Sequence, residues 1–306
     1  MLTSQIRWLV ASALILAACT TVSRQAPISL PFSSHANQVS ILATIGGKPL
    51  TFLVDTAVDP SAIDGAVARD LGLKALSAGG AIEGVGTETA TAYPSVIPDL
   101  MIAGKSVGAV EVLVNDMTRL RERFGAPLDG ILGYSLLKKH AVMIDYRANR
   151  ITFYEGPARQ DPKSCRTVHR FPLRFLSDDD RLILVPGLKI EGVEVPAMLD
   201  TGSSNNLRIG EGAPAIAPIR PLLPKGEAGS VVGARGQAAV RRGLLNGSVT
   251  LGPFRADRPE VALIGVRNPR VPVSIGNRFL RTLGVRLLVD IPGGVVGLYS
   301  DCRGAI

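Results

Sequence analysis

The chain is poor in the residues that most often carry metal, redox or nucleophilic chemistry. It holds three histidines, three cysteines and one tryptophan in 306 residues. His35, His140 and His169 stand apart from one another, so none has the neighbour that a metal site or a His-assisted nucleophile requires. No His-Glu-x-x-His and no Gly-x-x-x-x-Gly-Lys-Ser/Thr occurs, which excludes the usual zinc-peptidase helix and phosphate loop. No metal and no cofactor is expected. Aromatics make up only 5% of the chain against 46% apolar residues, so any core must be built from Val, Ile, Leu and Ala. The formal charge is +8, but the arginines are scattered and no basic run interleaves with aromatics, which argues against nucleic acid as a partner. A solvated basic surface near anionic lipid is the plainer reading. The apolar run Trp8 to Leu16 is too short to span a bilayer.

What the chain does contain is one pattern written twice. Val195-Pro-Ala-Met-Leu-Asp-Thr-Gly-Ser-Ser204 runs apolar residues straight into an acid, followed by hydroxyls and a glycine. A buried strand that delivers an aspartate into a tight polar turn has this form, and the desolvated carboxylate must be met by hydrogen bonds from its neighbours. Leu50-Thr-Phe-Leu-Val-Asp-Thr-Ala57 is the second copy. Asp55 and Asp200 are 145 positions apart, as are Gly47 and Gly192, Asp145 and Asp290, and Tyr154 and Tyr299. Ile131-Leu-Gly133 and Ile275-Gly276 fall nearly in the same register, offset by 143. Four landmarks in one register describe an internal duplication.

The duplicated Asp-Thr turns resemble the active-site turns of aspartic proteases, the pepsin and retropepsin group. The resemblance covers roughly residues 38–156 and 180–301. It implies a mainly β fold of two homologous β-barrel lobes with a cleft between them. It also implies that Asp55 and Asp200 meet across the lobe interface as the catalytic pair, with the Thr56 and Thr201 hydroxyls cross-linking the turns. Thr56, Ala57, Thr201, Gly202 and Ser203 are then the supporting residues. Gly84, Val85 and Gly86, in Ile82-Glu-Gly-Val-Gly86, occupy the position of a flap that folds over bound polypeptide. Gly233 and Ala234, in Val231-Val-Gly-Ala-Arg-Gly236, stand at the matching position. Gly133 and Gly276 are expected beside the catalytic turns, where a side chain would collide. Ala57 departs from the family's usual glycine; it needs a backbone without positive φ and room for a methyl.

Taken in order, residues 1–18 read as an export signal with Arg7 before the apolar run. Leu16-Ala-Ala-Cys19 looks like a bacterial lipobox in which Cys19 is acylated. That implies a lipid-anchored envelope protein, with outer-membrane sorting favoured by Thr20. Residues 19–37 read as a tether and 38–156 as the first lobe. Residues 157–179 read as a linker and 180–302 as the second lobe. A helix is expected from Ile63 to Leu73 and another, an arginine-rich solvated one, near Thr118–Phe124; none is expected after Ile209, where proline is frequent. With Cys19 acylated, Cys165 and Cys302 are expected to form a disulfide in an oxidising compartment.

The chemistry that the resemblance implies is peptide hydrolysis by water held between two acids sharing one proton, because two adjacent carboxylates cannot both ionise cheaply. Ser203 is expected to hydrogen-bond the Asp200 carboxylate while Val58, its counterpart, cannot, making Asp200 the base and Asp55 the acid. Asp145 and Asp290 read as structural acids at strand ends. The expected protein is a monomeric endopeptidase. Two readings stand beside it: a catalytically inactive peptide-binding lipoprotein of the same fold, and a homodimer using Asp200 alone.

Overall fold

The computed structural model describes residues 26–158, 165–265 and 269–303. The fold is mainly β, and the duplication is visible in how the strands pair. In the first half, Lys48–Val54 forms an antiparallel hairpin with Ser40–Ile45 across the Gly46-Gly47 turn. It also pairs in parallel with Gly130–Leu132. Ala62–Asp64 lies on the other side of Gly130–Leu132 and runs parallel to Val110–Asn115, which pairs with Thr91–Ile97. The second half repeats these neighbours. Ala197–Leu199 pairs in parallel with Val273–Ile275, whose other neighbour is Leu207–Gly210. Leu207–Gly210 runs parallel to Glu260–Ile264, and Gly236–Leu244 follows.

A six-stranded sheet takes strands from both halves, in the order Ile28–Pro31, Arg150–Glu155, His140–Asp145, Arg286–Asp290, Val295–Cys302, Cys165–Pro172. Its centre is the antiparallel pairing of His140–Asp145 with Arg286–Asp290. Both strands are buried along their whole length, as apolar runs covered on two faces should be. One continuous apolar cluster runs from Ile28 to Leu298 through both halves. With few aromatics it is packed by Ile, Val and Leu around Phe52, Phe153 and Phe279. Each such side chain taken fully from water contributes roughly 1.5–3 kcal/mol.

Several expectations need correction. The tether ends earlier than residue 37: Ile28, Leu30 and Phe32 alternate inward and are buried, so Ile28–Pro31 is a strand on Arg150–Glu155. The segment read as a linker contains the eight-residue strand Cys165–Pro172, held in register along Val295–Cys302. The helix expected from Ile63 is shorter, Gly65–Asp70, because Asp64 caps it by accepting from the Ala66 N–H at 2.9 Å. The arginine-rich helix Thr118–Phe124 is not only a solvated face. Phe124 is buried against Leu53 and Leu128, and Arg121 lies 3.2 Å from the Asp64 carboxylate. The proline-rich stretch after Ile209 does form a helix, of the 3-10 type, over Pro214–Leu222. Pro214 stands in its first turn, where the N–H has no helical partner to lose, and Ile216 and Ile219 bury one side of it. Among the described residues no helix is long and apolar enough to cross a membrane. Cys19 and the rest of residues 1–25 lie outside the described residues.

Candidate active site

Asp55 and Asp200 each follow directly on the buried end of a strand, Lys48–Val54 and Ala197–Leu199. The Asp55 N–H donates to the Leu132 carbonyl at 2.9 Å, and the Asp200 N–H donates to the Ile275 carbonyl at 2.9 Å. Each acid is thus pinned by the strand that pairs in parallel with its own. The glycine that follows that strand lets the turn close. A Cβ on Gly133 would lie 2.2 Å from the Val58 carbonyl oxygen, and one on Gly276 2.2 Å from that of Asn205. No side chain fits at either place, so both positions are glycine for space.

The two turns lock to each other reciprocally. The Thr56 N–H donates to Thr201 Oγ1 at 3.0 Å, and the Thr201 N–H to Thr56 Oγ1 at 3.1 Å. Each hydroxyl then donates to the carbonyl before the opposite aspartate, Thr56 to Leu199 at 3.1 Å and Thr201 to Val54 at 2.9 Å. Both threonines are buried, where such bonds are costly to break. The arrangement brings Asp55 and Asp200 close enough for the charge of one to act on the other.

The two acids are not equivalent. The Asp55 carboxylate accepts the Ala57 N–H at 2.7 Å and packs directly on Gly202, whose amide also favours the ionised form. A Cβ at Gly202 would fall 1.9 Å from Asp55 Oδ2. Ala57 is not among the residues with positive φ, so the turn admits its methyl without backbone strain. Burial first, and then the negative charge of Asp200, pushes the Asp55 carboxyl up to about 7; the two amides and Arg208 pull in the other direction. Asp200 Oδ2 is 2.8 Å from Arg208 Nη2, and both side chains are largely buried.

The expected bond from Ser203 to Asp200 is not formed. Ser203 Oγ instead accepts from the Asn205 N–H and Nδ2, at 3.4 and 3.2 Å. The turn bends its hydroxyl toward the following loop, and Arg208 takes the place at the carboxylate. Arg208 was not singled out in the sequence; the available signal was an arginine between the buried Leu207 and Ile209, eight residues after the acid. Asn277 and Gln38 were missed too. Asn277 Nδ2 donates to the Thr201 carbonyl, its Oδ1 accepts from the Tyr146 hydroxyl at 2.7 Å, and Gln38 Nε2 donates to the Gly202 carbonyl.

The glycine-bearing tips come together. Gly80–Ala81 pairs with Thr91 and Ala92, so Gly84, Val85 and Gly86 sit in the connecting loop. Glu227–Gly233 and Gly236–Leu244 form the second hairpin, with Ala234 and Arg235 at its tip. The Arg235 N–H donates to the Val85 carbonyl at 2.8 Å, and the Glu88 N–H to the Arg235 carbonyl at 3.0 Å. A Cβ at Gly233 would meet Val85 at 2.5 Å, and one at Gly84 would meet Ala234 at 2.8 Å. All five tip residues therefore share one contact region.

The remaining chemistry-bearing residues are engaged elsewhere. Asp145 accepts the Arg147 and Ala148 N–H groups and pairs with Arg286 at 2.6 Å, and Asp290 accepts from Gly293 and Ala158. His35 is bound to the Phe124 carbonyl and His140 to that of Leu136. Gly104-Lys-Ser-Val-Gly108 has the Gly-x-Ser-x-Gly spacing of a nucleophile elbow. However, Ser106 ends a two-residue strand and donates to Asp99, with no helix following. Among the described residues no group of three or more His, Cys, Asp or Glu is placed to hold a metal ion. Cys165 and Cys302 form a disulfide at the end of the Cys165–Pro172 ladder.

No curated protein matches this chain. The sequence model of the aspartyl protease family matches residues 41–136, from the first hairpin through the turn after Gly133, and so supports kinship with the aspartic proteases for that stretch.

Proposed function

We propose that the protein is an aspartic-type endopeptidase in which Asp55 and Asp200 activate one water against a peptide bond. The observation that carries this reading is the reciprocal Thr56–Thr201 lock, which sets two acids on matching turns with one carboxyl held up to about 7. Near neutral pH such a pair holds one proton between two carboxyls. The ionised Asp200 takes a proton from water as the hydroxyl bonds to the scissile carbonyl carbon, and Asp55 gives its proton to the carbonyl oxygen. Collapse of the resulting diol breaks the C–N bond. Asp200 passes its proton to the nitrogen and Asp55 recovers one from a diol hydroxyl, so the pair returns to its starting state.

The substrate is a polypeptide taken between the two halves of the chain, with the Gly84–Gly86 and Gly233–Ala234 tips as the covering elements. The Thr56–Thr201 lock lies within one chain and supports a monomer over a homodimer. Export and anchoring rest on residues 1–19, and the Cys165–Cys302 disulfide is in keeping with an oxidising compartment. A Cys19→Ser protein that still partitions into detergent like the parent would remove the anchoring part of the reading.

The deciding experiment is cleavage of an unfolded protein substrate, with and without a pepstatin-type inhibitor, by the parent, Asp55→Asn and Asp200→Asn. Loss of cleavage in either variant is expected. Cleavage that survives Asp55→Asn returns the homodimer, and no cleavage by the parent returns the peptide-binding reading.

A further inference from the structure

We propose that Arg208 is a positioning residue for this pair: it assigns the resting negative charge to Asp200 and leaves the shared proton on Asp55. The inference rests on the peptidase reading above and adds to it the residue that breaks the symmetry of the site.

The duplication supplies the internal comparison. Ile131 and Ser274 hold the same place, each beside the penultimate residue of the strand that delivers an aspartate, Leu53 and Met198. On their other side they face Ala62 and Arg208. Alanine therefore stands in the first half where arginine stands in the second. Among the described residues Asp55 has no ion-pair partner in its own half, and Asp200 has one at 2.8 Å. Strand alternation explains how the arginine is aimed. Leu207 and Ile209 are buried in the core, and Arg208 leaves the strand on the opposite face.

The pair is also nearly dry, with the Arg208 and Asp200 side chains only 15% and 8% exposed. In such surroundings an ion pair is screened little, and either charge left alone is penalised. The side-chain charges acting on Asp55 are those of Asp200 and Arg208, and backbone amides of Ala57 and Gly202 complete its surroundings. Arg208 touches Asp200 directly and acts on Asp55 only through space. It engages the Oδ2 oxygen of Asp200.

The test is a carboxyl titration of protein labelled with 13Cγ-aspartate, assigned by loss of signals in Asp55→Asn and Asp200→Asn. It is run on the parent, Arg208→Gln and Arg208→Lys, beside the pH–rate profile of each. In the parent, Asp55 is expected to be the carboxyl that keeps its proton to the higher pH. Removing the cation raises both steps, so Arg208→Gln should move the Asp200 step and the acidic limb of the rate profile up by about 1–2 pH units. The alkaline limb should move less, and Arg208→Lys should return the acidic limb most of the way.

The titration reads the assignment even if no substrate is cleaved, so failure of the peptidase reading and failure of this one are told apart. An Asp200 step that stays in place in Arg208→Gln overturns the proposal. If Arg208→Gln does not fold, the parent alone decides, since an Asp55 step below that of Asp200 overturns it equally. Faster cleavage by Arg208→Gln with an unmoved acidic limb would mark Arg208 as a brake and also overturn it.

Discussion

Gly202 and Ala57 occupy the same place in two copies of one turn, and the difference between them shows what the site can tolerate. The Asp55 carboxylate lies directly against Gly202, so a methyl there would displace it by more than an ångström. Gly202→Ala is expected to lower kcat/KM by roughly 100-fold, the scale on which misplacement of a reacting group by about 1 Å acts. Steady-state kinetics on a folded variant check this, and near-parent activity would contradict the geometry. Asp55 also makes a prediction about stability. In the folded protein its carboxyl titrates at about 7, against the ordinary 3.8. Between those values the folded state keeps a proton that the unfolded chain has lost. Stability therefore falls as pH rises through this window and the loss is complete above it. Asp55→Asn removes the effect. The variant should melt near the parent at pH 4 and increasingly above it toward pH 7, by roughly 2–4 °C for each kcal/mol. Calorimetry across that range tests the sign, and a gap that widens toward acid would refute it.

At the scale of elements, the strand Cys165–Pro172 depends on its two ends. It is an edge strand of the six-stranded sheet, and only alternate residues face inward. At its start Cys165 is paired in register with Cys302 and bonded to it, closing a loop 137 residues long. The disulfide should stabilise by roughly 2–4 kcal/mol, chiefly by restricting the unfolded chain. Melting with and without a phosphine reductant measures it, and coincident curves would show that the ladder holds without the bond. Tyr146 and Asn277 connect the same sheet to the site. The Tyr146 hydroxyl reaches Asn277, and Asn277 reaches the carbonyl of Thr201, so the Asp200 turn is braced from the sheet that both halves share.

For the whole molecule, the shared sheet decides whether the halves are separable. Val142, Met143, Ile144 and Asp145 pair directly with Val289, Leu288, Leu287 and Arg286, and the Asp145–Arg286 ion pair spans the same seam while buried on both sides. Cutting there exposes a long apolar edge on each fragment, which invites edge-to-edge association. Residues 26–158 produced alone should be insoluble or oligomeric, and co-production with residues 165–303 should restore a monomer. Size-exclusion chromatography with light scattering tests this. A monomeric, cooperatively melting 26–158 fragment would contradict it.

Both Asp-Thr turns, the hairpins that lead into them and the glycines beside them were legible in the sequence. Each is a local signal, an apolar run ending in an acid or a glycine with fixed spacing, and the duplication repeated it. The disulfide partners were legible as well, because two cysteines remain once Cys19 is set aside. Other features depended on partners distant in the chain. Ile28–Pro31 becomes a strand because Arg150–Glu155 offers it an edge, and Cys165–Pro172 because Val295–Cys302 does. Ser203 stands at the right spacing for Asp200, yet the turn carries its hydroxyl to Asn205. Arg208 looks like one more scattered arginine until the strand pairing turns it toward Asp200. Periodicity decides which face a residue lies on; only the closing of the sheets decides what that face meets. The positions of the two acids are thus written locally, while the inequality between them is a product of tertiary structure.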